Sequence, residues 1–161
     1  MLNIRAIAPE EFERIWPIWQ EAIAAGDTYP YAPDSSLEQG RAIWCSPDKQ
    51  TYLAEAEGEL VGTFYIRPNQ PDLGAHICNA GFIVSRAHGG KGYGRAMGEF
   101  ALEEAKRLGY SAMQFNLVVA DNIASLKIWE PLGFTQIGTI PEAFHNPHKG
   151  YVDAHILYKK L

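Results

Sequence analysis

The spacing of apolar positions changes along the chain, and each change marks an element. Residues 2–7 alternate apolar and polar side chains, the period of a half-buried strand. Pro9 then opens a helix with Glu10 and Glu11 in its first turn, where acidic groups suit the helix dipole. Phe12, Ile15, Trp16, Trp19 and Ile23 recur at helical spacing to residue 25, with a kink expected at Pro17. Residues 26–33 read as a loop, and Asp34 or Ser35 caps a second helix ending near Cys45. Residues 52–56 and 60–67 read as strands around Glu57-Gly58-Glu59, a hairpin signal.

Residues 68–74 form a loop and 76–85 another strand, followed by the segment Gly89-Gly90-Lys91-Gly92-Tyr93-Gly94. A strong helical pattern covers 92–108 and stops at Gly109, the expected left-handed exit. A strand over 111–119 precedes a short helix over 122–130, ended by Pro131 and Gly133. Strands over 134–140 and 151–158 complete the set, joined by a loop with two prolines and two histidines. The order β-α-α-β-β-β-α-β-α-β-β predicts an α+β fold. Its three layers, α/β/α, enclose a single mixed sheet of about seven strands.

With 161 residues, the length prior gives a single domain over 1–161. Hydrophobic residues make up 47% and charged residues 20%, a globular composition that excludes disorder. Fourteen basic against nineteen acidic residues leave a net charge of −5, which argues against a broad nucleic-acid surface. Cys45 and Cys78 form no C-x-x-C pair and read as reduced thiols of a cytoplasmic protein. No apolar run reaches the ~18–20 residues of a membrane span, so no membrane contact is expected.

The glycine-rich segment lies between an apolar strand and a helix. Glycines there let backbone approach a ligand without a Cβ in the way, and the helix start offers free N–H groups to a phosphate. Arg86, Lys91 and Arg95 add local positive charge to an acidic chain. A P-loop requires Ser or Thr after the lysine, but Gly92 follows Lys91. The dinucleotide fingerprint requires Gly or Ala where Arg95 stands. A pyrophosphate that is part of neither motif fits, and so does a turn that binds nothing. Gly94 and Gly98, four apart, also suit close packing of the helix.

Two segments resemble the GNAT superfamily of acyl-CoA-dependent N-acetyltransferases. Phe82-Ile83-Val84 followed by Gly90-Lys91-Gly92-Tyr93-Gly94-Arg95-Ala96 is similar to the family's pyrophosphate-loop motif. Asn122-Ile123-Ala124-Ser125-Leu126 followed by Trp129-Glu130-Pro131-Leu132-Gly133-Phe134 is similar to its later helix-strand motif. The resemblance implies acetyl-CoA as acyl donor and no metal. It implies that Gly90, Lys91, Gly92, Tyr93, Gly94 and Arg95 hold the pyrophosphate, and that Phe82, Ile83 and Val84 pair with the pantetheine amides. Asn122 would touch the pantetheine arm, and it also suits a plain helix cap. Two positions depart from the pattern. Gly89 stands where the family usually has Gln or Arg. Trp129 replaces the tyrosine often proposed as general acid, and an indole N–H cannot supply a proton at neutral pH. Trp129 also suits a packed helix face.

The strand over 76–85 contains no glutamate, so an obvious base is absent there. It contains Asn79, and Asn116 lies inside the next strand, although asparagine is disfavoured in strands. Either these two satisfy backbone groups where strands splay, or they hold substrate or a catalytic water. Cys78-Asn79-Ala80-Gly81-Phe82, Phe115-Asn116-Leu117-Val118 and Gly150-Tyr151-Val152-Asp153 resemble fungal N-acetyltransferases of proline analogues such as azetidine-2-carboxylate. In that subgroup two strand asparagines bind the substrate and its water. Thr28 and Tyr29, in Asp27-Thr28-Tyr29-Pro30-Tyr31, fall in the loop that roofs the family's acceptor site. His145 and His148 read as solvated loop residues rather than a metal pair, because Pro147 opposes a helix there. The expected activity is acetyl transfer to a small amine, an amino acid or analogue, in a ternary complex. A protein acetyltransferase and a non-catalytic acyl-CoA-binding domain are the alternatives, and the resemblance implies a homodimer.

Overall fold

The computed structural model describes residues 1–161, and its seven strands share one sheet. They are β1 (Leu2–Ile7), β2 (Gln50–Ala56), β3 (Glu59–Pro68), β4 (Ile77–Val84), β5 (Ala112–Val119), β6 (Thr135–Asn146) and β7 (Gly150–Lys160). The helices are α1 (Phe12–Ala25), α2 (Leu37–Trp44), α3 (Tyr93–Arg107) and α4 (Ile123–Trp129). Spatial order is β1-β2-β3-β4-β5-β7-β6, with β4 and β5 parallel and every other pair antiparallel.

Alternation along the strands divides the core between the two faces. Tyr52, Ala54, Phe64 and Ile66 pack with Met97, Ala101 and Ala105 of α3 and Trp129 of α4. The residues between them, Leu53 and Tyr65, pack on the other face with Phe12, Ile15, Trp19 and Ile23 of α1 and Trp44 of α2. These are the three layers that the element order implies.

Two expectations are corrected. The cap of α2 is Ser36, not Asp34 or Ser35: its hydroxyl accepts from Gln39 N–H at 3.2 Å and Gln39 Oε1 accepts from Ser36 N–H at 2.8 Å. α1 runs on through Pro17. The loop expected over 141–150 is mostly strand. β6 runs through Pro141 to Asn146, since an edge strand tolerates a proline, and an irregularity between Ile140 and Phe144 absorbs Glu142 at φ 51. His145 therefore lies in β6, stacked on Tyr151 at 4.6 Å, rather than in a loop.

One irregularity positions the site. β4 and β5 pair only at Ile77↔Ala112 and Cys78↔Met113, and the ladder then stops. From Asn79 onward, β4 keeps its partner β3 on one side and faces a gap on the other.

Candidate functional site

The gap opens into a cavity of about 680 Å³. Its walls are β4 from Asn79 to Val84, β5 from Phe115 to Val119, the loop after α1 and the start of α4. Arg67↔Asn79 and Tyr65↔Gly81 are register partners, so Tyr65, Arg67, Asn79 and Gly81 share the face beneath the α1–α2 loop. Gly81 is needed there. A Cβ at that position would stand 2.5 Å from the Tyr65 ring, which lies over it.

At one end, Asn79 braces the point where the strands part. Its amide donates to Gln114 C=O on β5 at 3.0 Å, and its Oδ1 accepts from Tyr65 Oη at 3.3 Å and Arg67 Nε at 3.2 Å. It is 5% exposed and satisfies a backbone carbonyl left unpaired by the splay. Asn116 lies at the β5 irregularity between Phe115 and Val118. It donates to Asn69 Oδ1 at 2.7 Å and accepts from Gln114 Nε2 at 3.1 Å. Both carboxamides line the cavity, so Asn79 braces the strands and faces the cavity at once.

Tyr29 enters from the roof. Its hydroxyl accepts from the Phe82 N–H at 2.7 Å and donates to the Phe82 C=O at 2.8 Å, standing in for a neighbouring strand. Burial, with Tyr65 and Tyr31 nearby, pushes its phenol well above the ordinary value, so it stays neutral. Its ring stacks on Tyr31 at 5.7 Å and meets Trp44 edge-on at 5.7 Å. Thr28 lines the same wall.

The far end reaches the glycine-rich turn. Gly90 and Gly92 hold φ values of 75° and 83°, and an added Cβ at either meets nothing within 4 Å. Their requirement is thus the left-handed backbone, which exposes the loop's N–H groups. The first intrahelical bond of α3 runs from Ala96 N–H to Gly92 C=O, so the N–H groups of Tyr93, Gly94 and Arg95 have no acceptor within the helix. Gly94 packs differently: a Cβ there would stand 2.8 Å from Ile128, and one at Gly98 would stand 2.9 Å from Trp129. Both are close contacts of α3 with α4.

Phe82, Ile83, Val84, Gly94 and Asn122 line the cavity, and Gly89 joins them. Gly90, Lys91, Gly92, Tyr93 and Arg95 lie outside its lining, and the Arg95 guanidinium pairs with Glu99 at 3.0 Å. Asn122 caps α4, accepting from Ser125 N–H at 3.3 Å. Trp129 is 5% exposed, packs on Phe82 at 4.8 Å and Phe115 at 4.6 Å, and gives its N–H to Ser125 Oγ at 2.9 Å. No Asp, Glu or His lines the cavity. Among the lining residues that the sequence reading does not assign to the site are Tyr31, Tyr65 and Arg67. The signal for the last two was their alternation on β3, which puts a tyrosine and a cation on one face.

A model of the acetyltransferase (GNAT) family matches residues 10–134. N-acetyltransferase aca1 of Schizosaccharomyces pombe is 46% identical over 112 residues, 69% of this chain and 54% of that protein. Protein SPT10 of Saccharomyces cerevisiae is 34% identical over 87 residues, 54% of this chain and 14% of that protein. The chain spans about half the length of the first and a small part of the second. Among solved structures, a GCN5-related N-acetyltransferase from Kribbella flavida matches with a TM-score of 0.91 at 40% identity, over 99% of this chain and 98% of that one. The acetyltransferase yncA of Salmonella typhimurium, solved with its cofactor acetyl-CoA, shares the fold, with a TM-score of 0.86 at 20% identity over 99% and 94% of the two chains.

Proposed function

This chain belongs to the GNAT acetyltransferase family, and from that membership we propose that it transfers acetyl from acetyl-CoA to the amine of a small molecule. The observation that carries the reading is the splayed edge of β4, flanked by asparagines at one end and a glycine-rich helix start at the other. Phe82 turns both of its backbone groups into the gap, as its bonds to Tyr29 demonstrate, and by alternation Ala80 and Val84 face the same way. Pantetheine amides would pair with that edge as an added strand does. The N–H groups of Gly90 to Arg95 would hold the pyrophosphate, with Lys91 beside them, and Asn122 would sit beside the pantetheine arm.

Acetyl-CoA supplies an activated acyl group on a thiol of pKa about 8.5, which leaves without a strong acid. That matches Trp129, whose N–H is committed to Ser125. Phe82 N–H, once released by Tyr29, is the donor for negative charge on the acyl oxygen. Asn79 and Asn116 orient the amine or a water beside it. The amine attacks the carbonyl carbon to give a tetrahedral oxyanion, whose collapse breaks the C–S bond and releases CoA thiolate; with no carboxylate or imidazole lining the cavity the amine's proton passes to water.

Two features favour a small acceptor over a protein. Thr28, Tyr29 and Tyr31 roof the asparagine end, and no acidic residue lines the cavity to receive a basic peptide. We extend the reading to a cytoplasmic homodimer, supported by the outer strand β6, which exposes Ile137 and Ile140. No helix is long and apolar enough to cross a membrane. Thiol release from acetyl-CoA with a panel of amines, amino acids and peptides tests the activity. Release with free amines supports it. Release with peptides alone makes the chain a protein acetyltransferase, and acetyl-CoA binding without release makes it a binding domain.

A further inference from the structure

The His88 imidazole is a largely buried group that the transfer step does not use. It closes a short helical turn, Arg86–His88, directly before the glycine-rich loop. Its side chain is 16% exposed, although its neighbours Ala87 and Gly89 face solvent. Nε2 gives its hydrogen to Glu59 Oε2 at 2.8 Å, since a carboxylate only accepts, and Nδ1 is buried with no partner in the chain. The ring also lies 6.3 Å from that of Tyr93, the first residue of α3. One side chain therefore meets the start of β3 and the start of α3, and the residues between its anchors are Gly89 to Gly92.

Little else holds that loop. The N–H groups of Gly90, Lys91 and Gly92 donate to no carbonyl of the chain. On either side the backbone is tied to β3. Before the loop, Ser85 N–H donates to Val61 C=O at 2.8 Å and His88 N–H to Ser85 C=O at 2.9 Å. After it, Met97 seats α3 over Gly62, where a Cβ would stand 2.6 Å from the Met97 sulfur. Resting on the acetyl-CoA reading above, we infer that His88 is a positioning residue for the coenzyme: with Glu59 and Tyr93 it clamps both ends of Gly89–Gly92 and keeps the loop's N–H groups turned out for the pyrophosphate. Neither His88 nor Glu59 lines the cavity, so both act through the loop. The physical gain is preorganisation. A glycine-rich loop loses much conformational freedom when it closes on a ligand, and fixing its ends in advance removes part of that cost. The effect therefore falls on coenzyme affinity and leaves the chemical step alone.

Two acyl donors test this: acetyl-CoA, and S-acetylpantetheine, which keeps the strand-pairing amides but lacks the pyrophosphate and adenosine. Thiol release from each is compared by kcat/KM, with the best amine of the panel. The parent should prefer acetyl-CoA. Glu59→Ala keeps the ring and loses its bond. Because that carboxylate is exposed, kcat/KM for acetyl-CoA should fall only by the range of one net hydrogen bond, roughly 2- to 12-fold, through KM. S-acetylpantetheine should be used as before. Glu59→Gln, whose amide oxygen still accepts from Nε2, should return most of the loss. His88→Ala should lose more, because the contact with Tyr93 goes as well. Calorimetric titration of CoA reads the same factors without turnover. A residue that only supports the fold would lower Tm and affect both donors alike. Unchanged acetyl-CoA affinity in either alanine variant, or an equal loss with both donors, overturns the assignment. Failure of the underlying reading looks different: the parent itself binds no CoA or shows no preference for acetyl-CoA over S-acetylpantetheine, and the proposal is rejected with it.

Discussion

The Tyr29 hydroxyl occupies both backbone groups of Phe82, taking its N–H at 2.7 Å and giving a hydrogen to its C=O at 2.8 Å. These are the groups that the proposed acyl donor needs on the splayed edge of β4. The roof of the proposed acceptor pocket and the edge of the proposed cofactor site are thus one contact. Acyl donor must displace Tyr29 before it can use Phe82, which links cofactor entry to the shape of the acceptor pocket.

Tyr29→Phe removes the competitor and keeps the ring against Tyr31 and Trp44. Two net hydrogen bonds of about 0.5–1.5 kcal/mol each no longer oppose binding, so acetyl-CoA should bind roughly 5- to 150-fold more tightly. Calorimetry on both proteins checks this. Weaker binding in the variant would mean that the hydroxyl holds the donor rather than giving way to it.

Trp129 fills space that no other ring covers, between Phe82, Phe115 and Phe134 and over Gly98. Its N–H is spent on Ser125, so it has no proton to give the leaving thiol. Trp129→Phe should cost about 1–3 kcal/mol of stability through the space left behind, while kcat stays within about threefold. Thermal melting and thiol release on one preparation decide it. A thousandfold loss of kcat at unchanged Tm, about 4 kcal/mol of transition-state stabilisation, would restore a catalytic role.

These residues differ in how far sequence could reveal them. β1 and α3 follow directly from local period, and Gly109 at φ 94 marks the end of α3 as a left-handed residue should. Ser36 was displaced by its neighbours because three consecutive positions, Asp34, Ser35 and Ser36, all suit a cap. Only the bond to Gln39 separates them. Pro141 reads as the end of a strand, although an edge strand such as β6 need not donate there and runs on to Asn146. Asn79 and Asn116 were visible as polar residues in strands. The Tyr29–Phe82 contact spans 53 residues, and Arg67 meets Asn79 through the β3–β4 register. No local pattern encodes either.

Lys49 gives the site a pH signature. Burial, then repulsion by Arg67, lowers its ammonium to about 8, although Asp48 and a hydrogen bond to Ile43 C=O favour the charged form. An unfolded lysine keeps its ordinary value of about 10.4. Between those values the unfolded chain binds more protons than the folded one, so the stability that depends on Lys49 rises with pH across that window. Lys49→Met removes this dependence. The stability of the variant relative to the parent should fall by about 1 kcal/mol from pH 7 to pH 10, after allowance for solvent screening. Buried Cys45 and Cys78, whose thiols are pushed up, drive both proteins the other way and cancel in the difference. A flat difference across the window means that Lys49 titrates normally.

Asn79 and Asn116 separate structural from chemical roles, because their partners differ. Asn79 joins Gln114 C=O to Tyr65 and Arg67 across the splay, while Asn116 bonds the side chains of Asn69 and Gln114 at a half-exposed position. Asn79→Ala leaves a buried carbonyl unsatisfied and should lower stability by about 1–3 kcal/mol, whereas Asn116→Ala should change it by less than about 1 kcal/mol. Each should also reduce kcat/KM for the acceptor by roughly 5- to 150-fold, the cost of one positioning hydrogen bond, with acetyl-CoA affinity retained. In the double variant the stability losses should fall short of a simple sum, since both side chains bond Gln114. The rate losses should not add if, as proposed, both carboxamides hold one amine at one end of the cavity. Fully additive rate losses would assign the two asparagines to separate steps. Full turnover per folded molecule in both single variants would leave Asn79 as a strut and take both residues out of the chemistry.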